Sequence, residues 1–263
     1  TLQSRLKHPH PEFADADDAS SLEEVYRNAH EGLVVKPTDR CGSAGLHIFD
    51  HRPDRASLKQ AVEAARNVSF CKKVIVEARV QRTGLQFGGD YIFHQGRLCF
   101  ASHADQYQFR TATTEAGIGN LVPSGHSEKV LSEATEQVVQ LVETLGLSTG
   151  IYNTDVIVSA GQVYVLDFGA RLGGNMLGEV HRLATGVDYT LAAIQLAMGE
   201  PPQITQSNAE MNAGHLVVHS DRHGTLQEIN FSETLRDLMA IDLISKQKGA
   251  SVQPYASTSD RLG

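Results

Sequence analysis

Residues 150–174 read GIYNTDVIVSAGQVYVLDFGARLGG. Two runs rich in β-branched and aromatic residues, Gly150 to Val158 and Gln162 to Phe168, flank Ser159-Ala160-Gly161, which predicts a β-hairpin. Each run carries one aspartate, Asp155 and Asp167. A carboxylate among apolar residues is costly unless a cation compensates it. Paired carboxylate oxygens are what Mg²⁺ prefers, most of all beside phosphate. Register decides whether the two can share an ion. A three-residue turn sets Asp155 opposite Asp167 on one face, whereas a two-residue turn sets them on opposite faces. A shared ion therefore requires an odd-numbered turn or a bulge. Arg171 follows at the strand end and can offer a planar fork to a phosphate or carboxylate. The alternative is a structural ion pair between Arg171 and one aspartate.

Outward from this hairpin the chain mixes helices with hairpins. Ser127 caps the longest predicted helix, with Val130, Leu131, Ala134, Val138, Leu141, Val142 and Leu145 on one face. Gln86 to His94 and Arg97 to Ala104 predict a hairpin around Gln95-Gly96, and Asp105 to Gly125 reads as less regular. Lys73 to Val80 predicts a strand. Leu33 to Pro37 predicts another, followed by the loop Thr38 to Gly45 and a strand at Leu46 to Phe49. Asp54 caps a helix bearing Leu58, Ala61, Val62 and Ala65. Ser21-x-x-Glu24 reads as a capping box, preceded by an irregular lead-in, Thr1 to Ala19. Downstream, Leu172 to Gly178 is glycine-rich, Asp188 to Met198 predicts a helix, and short strands with one helix follow from His215. Helices and strands do not alternate strictly, which favours α+β lobes over a doubly wound sheet. The expected division is a lead-in 1–19, a small lobe 20–82, a large lobe 83–205 and a β-rich extension 206–263.

The 263 residues are 41% hydrophobic and 21% charged, with a formal net charge of −8. That balance argues against a general nucleic-acid binder, which needs a basic footprint. No apolar run approaches the roughly 20 residues that span a bilayer, so no membrane association is expected. Cys41, Cys71 and Cys99 are widely spaced and form no C-x-x-C, so neither a zinc site nor a disulfide framework is expected. Cys71 and Cys99 read as buried or half-buried. A reducing, cytoplasmic setting follows. The chain opens at Thr1 rather than Met, as one piece of a longer polypeptide would.

Two further clusters can carry chemistry. Lys36 ends an apolar strand, where it offers a point charge to a phosphate. The small residues after it, Gly42-Ser43-Ala44-Gly45, let backbone N–H groups approach phosphate oxygens, although a tight turn explains the same glycines. Glu77 ends the strand Val74-Ile75-Val76, where its alternative role is a surface ion pair. His215, His219 and His223 are spaced by four, but on a predicted strand that spacing is unsuited to metal.

The order of these clusters resembles the ATP-grasp superfamily, closest to the branch with carbamoyl-phosphate-synthase-like proteins and L-amino-acid ligases. The similarity runs from about Pro11 to Gly199, and Leu166-Asp167-Phe168-Gly169-Ala170-Arg171-Leu172-Gly173-Gly174 is its best piece. The resemblance implies an α+β ATP-grasp fold with two lobes gripping the nucleotide. It implies that Lys36 contacts the α- and β-phosphates and that Gly42, Ser43 and Gly45 belong to a mobile flap over them. It gives Glu77 and the Val80 backbone the adenine edge. It implies that Asp155 and Asp167 hold Mg²⁺ (or Mn²⁺), that Arg171 steadies the transferring phosphoryl group or the acyl-phosphate, and that Asn153 assists the metal pair. Both metal positions are aspartate, where the family usually has glutamate at one or both, and Gly169 stands where asparagine is common. Gln86 stands where an acid usually binds ribose.

The resemblance implies an ATP-dependent ligase that activates a carboxylate as an acyl-phosphate and joins it to an amine. Another ATP-grasp chemistry, on bicarbonate or a phosphorylated metabolite, is the first alternative. A nucleotide-binding module without catalysis is the second. The acceptor pocket is expected along Ala101 to Ser124, with Arg110 as a candidate carboxylate holder. A homodimer and a separate N-terminal domain are expected partners.

Overall fold

The computed structural model describes residues 2–112, 114–207, 211–257 and 260–263. Thr1 and Thr113, which fall within the expected lead-in and acceptor segment, lie outside the described residues. In chain order the elements are α1 (Leu2–Leu6), β1 (Phe13–Asp15), α2 (Ala19–Asn28), β2 (Leu33–Pro37), β3 (His47–Phe49), α3 (Arg55–Val68) and β4 (Val74–Ala78). Next come β5 (Gln86–His94), β6 (Arg97–Arg110), β7 (Glu115–Val122), α4 (Glu128–Thr144), β8 (Gly150–Ser159) and β9 (Gln162–Gly169). The remainder is α5 (Leu177–Thr185), α6 (Tyr189–Ala197), β10 (Ala213–Leu216), β11 (Gly224–Thr225), α7 (Glu233–Leu238) and β12 (Ser251–Val252).

The chain divides into two compact units. One consists of Thr1–Glu12, Ala78–Tyr107 and Gly119–His215; the other of Phe13–Glu77, Gln108–Ile118 and Leu216–Gly263. The first unit is built on a sheet of order β10-β7-β6-β5-β8-β9. Alternation along the strands gives this sheet two faces. On one, Phe87, Val156, Val158, Val163 and Val165 pack against Ala134 and Leu141 of α4. Tyr91, Phe93 and Tyr152 continue that layer against Val138 and Val142. On the other, Ile92 and Ile151 meet Val187, Tyr189, Ala192 and Leu196 at α6, and Ala104 and Val122 meet Leu177, Val180 and Ala184 of α5. The residues of α4 recur at helical spacing, which is why one face of it alone is buried.

The second unit contains a sheet of order β1-β4-β2-β3. Helix α3 buries Leu58, Ala61, Val62 and Ala65 on one face and is capped by the Asp54 carboxylate, which accepts from the Ser57 N–H at 2.8 Å. Gly32 sits at φ 103°, where a Cβ would lie 1.9 Å from the Phe49 carbonyl oxygen, so the turn into β2 admits only glycine. A separate small core gathers Ala116, Val217 and Tyr255.

Several expectations need correction. The N-cap of α2 is Asp18, which accepts from the Ser20 and Ser21 N–H groups, so the Ser21-x-x-Glu24 box lies inside the helix. The lead-in holds α1 and β1, and β1 pairs antiparallel with β4. The segment after Ala104 is regular: β6 runs on to Arg110 and β7 follows. Helix α5 follows the glycine-rich stretch. All three cysteines are exposed.

Candidate active site

The β8–β9 hairpin closes on two residues, Ala160 and Gly161, with φ of 48° and 78°. Positive φ at both positions is the signature of a type I′ turn. Ser159 faces Gln162 and the pairs run regularly to Val156 and Val165; there the register shifts, and Asp155 faces Asp167. Leu166 is the extra residue of this bulge. The expected three-residue turn is absent, and the bulge performs its job. Asp155 and Asp167 thus share one face, the one that α5 and α6 cover further along. Asp155 is half-buried and Asp167 exposed. Desolvation therefore bears little on Asp167, and the case for a shared cation rests on register rather than on burial.

Asp155 is held from the neighbouring strands. Gln106 Nε2 donates to Asp155 Oδ1 at 2.7 Å, and Gln86 Nε2 donates to Gln106 Oε1 at 2.6 Å. The Gln106 side chain crosses above Gly88, which pairs with Asp155 on one side and Ala104 on the other. A Cβ at Gly88 would lie 2.5 Å from Gln106 Nε2 and 2.8 Å from the Thr154 carbonyl oxygen. Gln86, at the expected ribose position, thus belongs to the hydrogen-bond chain that orients the Asp155 carboxylate.

Arg171 is exposed, and its Nη1 donates to Asn153 Oδ1 at 3.2 Å and to the Leu172 carbonyl at 2.8 Å. Asn153 Nδ2 donates in turn to Asp90 Oδ1 at 2.8 Å. Asp90 is fully buried, and desolvation pushes its carboxyl up to about 6 against the opposing hydrogen bonds from Asn153 and Gly173. His181 Nε2 lies 3.6 Å from Asp90 Oδ2, beyond hydrogen-bond reach. Burial pulls this imidazole down to about 3, so it is neutral and the contact is not an ion pair.

In the second unit, Lys36 Nζ lies 2.8 Å from Glu77 Oε1, with side chains 31% and 14% exposed. The strand order places β2 beside β4, which brings these two strand-end residues together. The loop after β2 has left-handed φ at Gly42 (63°), Ser43 (64°) and Gly45 (80°). At Gly45 a Cβ would approach Val68 Cγ2 to 2.4 Å. Glu77 ends the first segment of the second unit, and Val80 belongs to the first unit and is half-buried. Arg110, the candidate carboxylate holder, is already paired with Asp50 at 2.7 Å and Glu115 at 3.7 Å.

Sequence reasoning missed Asp90, Gly88 and Gln106. The signal was present: Gln86, Gly88 and Asp90 are spaced by two, so on a strand they share one face with Ile92. Among the described residues no group of three or more His, Cys, Asp or Glu is placed to hold a metal. The pair Asp155–Asp167 supplies an all-oxygen donor set, which fits Mg²⁺ and leaves room for phosphate oxygens and water.

The first unit thus aligns two carboxylates on one antiparallel hairpin, and the second unit carries a strand-end lysine followed by a glycine loop. The sequence matches the family described as ATP-grasp domain over residues 2–175, and the chain belongs to that family. Carnosine synthase 1 of Gallus gallus is 27% identical over 146 residues, 54% of this chain and 15% of that protein. The L-amino acid ligase of Bacillus licheniformis has the same fold, with TM-score 0.76 and 20% identity over 99% of this chain and 63% of its own. The biotin carboxylase domain of the Hydrogenobacter thermophilus 2-oxoglutarate carboxylase, a dimer with magnesium ADP and bicarbonate, gives TM-score 0.73 at 13% identity, covering 99% of this chain and 58% of its own. The chain therefore spans less than two thirds of each of these three relatives. Among the described residues no helix is long and apolar enough to cross a membrane.

Proposed function

We propose that this chain carries the nucleotide and metal machinery of an ATP- and Mg²⁺-dependent ligase that activates a carboxylate as an acyl-phosphate and joins it to an amine. The observation that carries the reading is the Asp155–Asp167 register with Arg171 beside it. In this reading Asp155 and Asp167 hold the metal, which supplies charge neutralisation to the phosphates. Lys36 contacts the α- and β-phosphates, Glu77 and the Val80 backbone bind the adenine edge, and Gly42, Ser43 and Gly45 close over the phosphates. A carboxylate is a poor electrophile because oxide would have to leave; transfer of the γ-phosphoryl group supplies a good leaving group. The work of the protein is then positioning and charge neutralisation. Arg171 bears on the transferring group. The similar carnosine synthase and L-amino acid ligase support an amine as the second substrate.

Calorimetric titration with ATP, with and without Mg²⁺, tests the reading on wild type and Asp167→Ala. The expected result is tight binding with Mg²⁺ and loss of the Mg²⁺-dependent part in the variant. ATP binding that ignores both Mg²⁺ and Asp167 would remove the assignment. Phosphate release in the presence of acid–amine pairs then separates a ligase from a binding module.

A further inference from the structure

Asp90 is a charged group in a place that gives it little return. It is fully buried, and among the described residues its Oδ2 has no hydrogen-bond partner. Both ring nitrogens of the nearby His181 also lack one. A buried carboxylate satisfied on one oxygen alone is a poor source of stability, and an apolar residue of similar volume would serve the core as well or better. What Asp90 Oδ1 does is accept two bonds, from Asn153 Nδ2 at 2.8 Å and from the Gly173 N–H at 3.1 Å. Both lead to Arg171. Asn153 Oδ1 receives the guanidinium, and Gly173 lies two residues along the backbone. The approach of Gly173 needs the glycine, since a Cβ there would lie 2.8 Å from Asp90 Oδ2.

The donor and acceptor logic gives this chain one direction. A carboxylate accepts only, and a guanidinium donates only. An amide between them satisfies both in one orientation alone, with nitrogen toward Asp90 and oxygen toward Arg171. A direct Asp90–Arg171 pair would draw the guanidinium into the core. The amide spacer leaves it exposed at the surface while fixing its direction.

We propose that Asp90 is a positioning residue for Arg171, acting through the Asn153 amide and the Gly173 backbone to set the direction of the guanidinium. That Arg171 then acts on nucleotide phosphates rests on the function proposed above; the positioning itself does not.

The test has two arms on the full chain. In the first, nitrogen-15 NMR of the arginine side chains follows rotation of the Arg171 guanidinium without nucleotide, with Arg171→Lys assigning the signal. Wild type is expected to show slowed rotation. Asp90→Asn keeps it, because an amide oxygen can accept the same two bonds. Asp90→Val, an apolar residue that suits a buried strand, is expected to speed rotation about tenfold or more. If Asp90→Val does not fold, Asn153→Val cuts the same chain one link on and carries the same expectation. Rotation unchanged by these cuts, or already fast in wild type, overturns the proposal. In the second arm MgATP affinity is measured for Asp90→Val and Arg171→Ala, singly and together. A positioning role predicts a loss of roughly tenfold from Asp90→Val in the presence of Arg171 and less than about twofold in its absence. Equal losses in both backgrounds contradict it. If wild type binds no MgATP, the ligase reading falls while the NMR arm still decides the role of Asp90.

Discussion

Asp155 stands directly across from Asp167 in a hairpin whose two-residue turn would by itself put them on opposite faces, and the unpaired Leu166 makes up the difference. Two like charges facing each other across an antiparallel pair repel. Asp167→Asn is therefore expected to stabilise the metal-free protein by about 0.2–1 kcal/mol in urea denaturation. The same substitution should abolish Mg²⁺-dependent ATP binding. A variant that loses both stability and binding would point instead to a structural role for the carboxylate.

Gly88 is the gap through which Gln106 reaches Asp155. A methyl group at position 88 meets a flexible amide on one side and the fixed Thr154 carbonyl on the other. Gly88→Ala should cost roughly 1–3 kcal/mol by overpacking. Gln106→Leu leaves the backbone alone. It should change stability by less than about 1.5 kcal/mol while weakening Mg²⁺ dependence of ATP binding. Denaturation and calorimetry on the two variants separate the effects; a Gln106→Leu variant that loses more than about 1.5 kcal/mol, or that keeps the full Mg²⁺ dependence, would contradict the account.

Much of this was legible in the sequence, for reasons that differ by element. The helix Glu128–Thr144 and the strand Val74–Ala78 announce themselves by periodicity, and the Asp155–Asp167 hairpin by its turn. Counting residues left an odd-numbered turn or a bulge open, and the three-residue turn read at Ser159-Ala160-Gly161 gives way to a two-residue turn with a bulge at Leu166. The spacing of Gln86, Gly88 and Asp90 gives the face Asp90 lies on but not its partners, which come from residues 153, 173 and 181, a tertiary arrangement that local spacing does not reveal. Strand β7 was missed because its burial is irregular, with buried residues spaced by three, so alternation gives no signal. Helix α5 begins at a left-handed Met176 with no side-chain cap, which removes the usual start signal.

His181 and Asp90 pull the pH dependence of stability in opposite directions. The imidazole titrates near 3 when folded and near 6.5 when unfolded. As pH falls through that window the unfolded chain takes up a proton that the folded chain refuses, so stability drops. The carboxyl titrates near 6 when folded and 3.8 when unfolded. There the folded chain binds its proton first, so stability rises as pH falls from about 6 to about 4. Each group alone contributes a slope of ~1.4 kcal/mol per pH unit. His103 and His215, each pulled down to about 4 by burial, act in the same direction as His181, so wild type is expected to lose stability on acidification between pH 6 and 4, and His181→Leu should make that loss shallower by ~1.4 kcal/mol per pH unit. Parallel urea curves for wild type and variant across that range would contradict the assignment of a neutral buried histidine.

Lys36 and Glu77 form a half-buried pair within the second unit. A double-mutant cycle with Lys36→Met and Glu77→Gln should give a coupling of about 1–2 kcal/mol, between exposed and buried pairs. The coupling should shrink in saturating MgATP if the nucleotide takes up one or both side chains. Coupling that is unaffected by nucleotide would assign the pair to the fold alone.

The bulge at Leu166 also has a practical consequence for the far end of its hairpin. Three regular pairs, Val156–Val165, Ile157–Tyr164 and Val158–Val163, separate it from the tip. The edge strand is also fastened along its length, since Gln3 Nε2 donates to the Val165 carbonyl at 2.7 Å and Gln137 Nε2 to the Val163 carbonyl at 3.0 Å. These ties insulate the carboxylate row from whatever joins Ser159 to Gln162. A peptide tag or fluorescent reporter spliced between Ala160 and Gly161 can therefore be tolerated without disturbing the aspartates, which makes the tip a natural place for a handle on the protein.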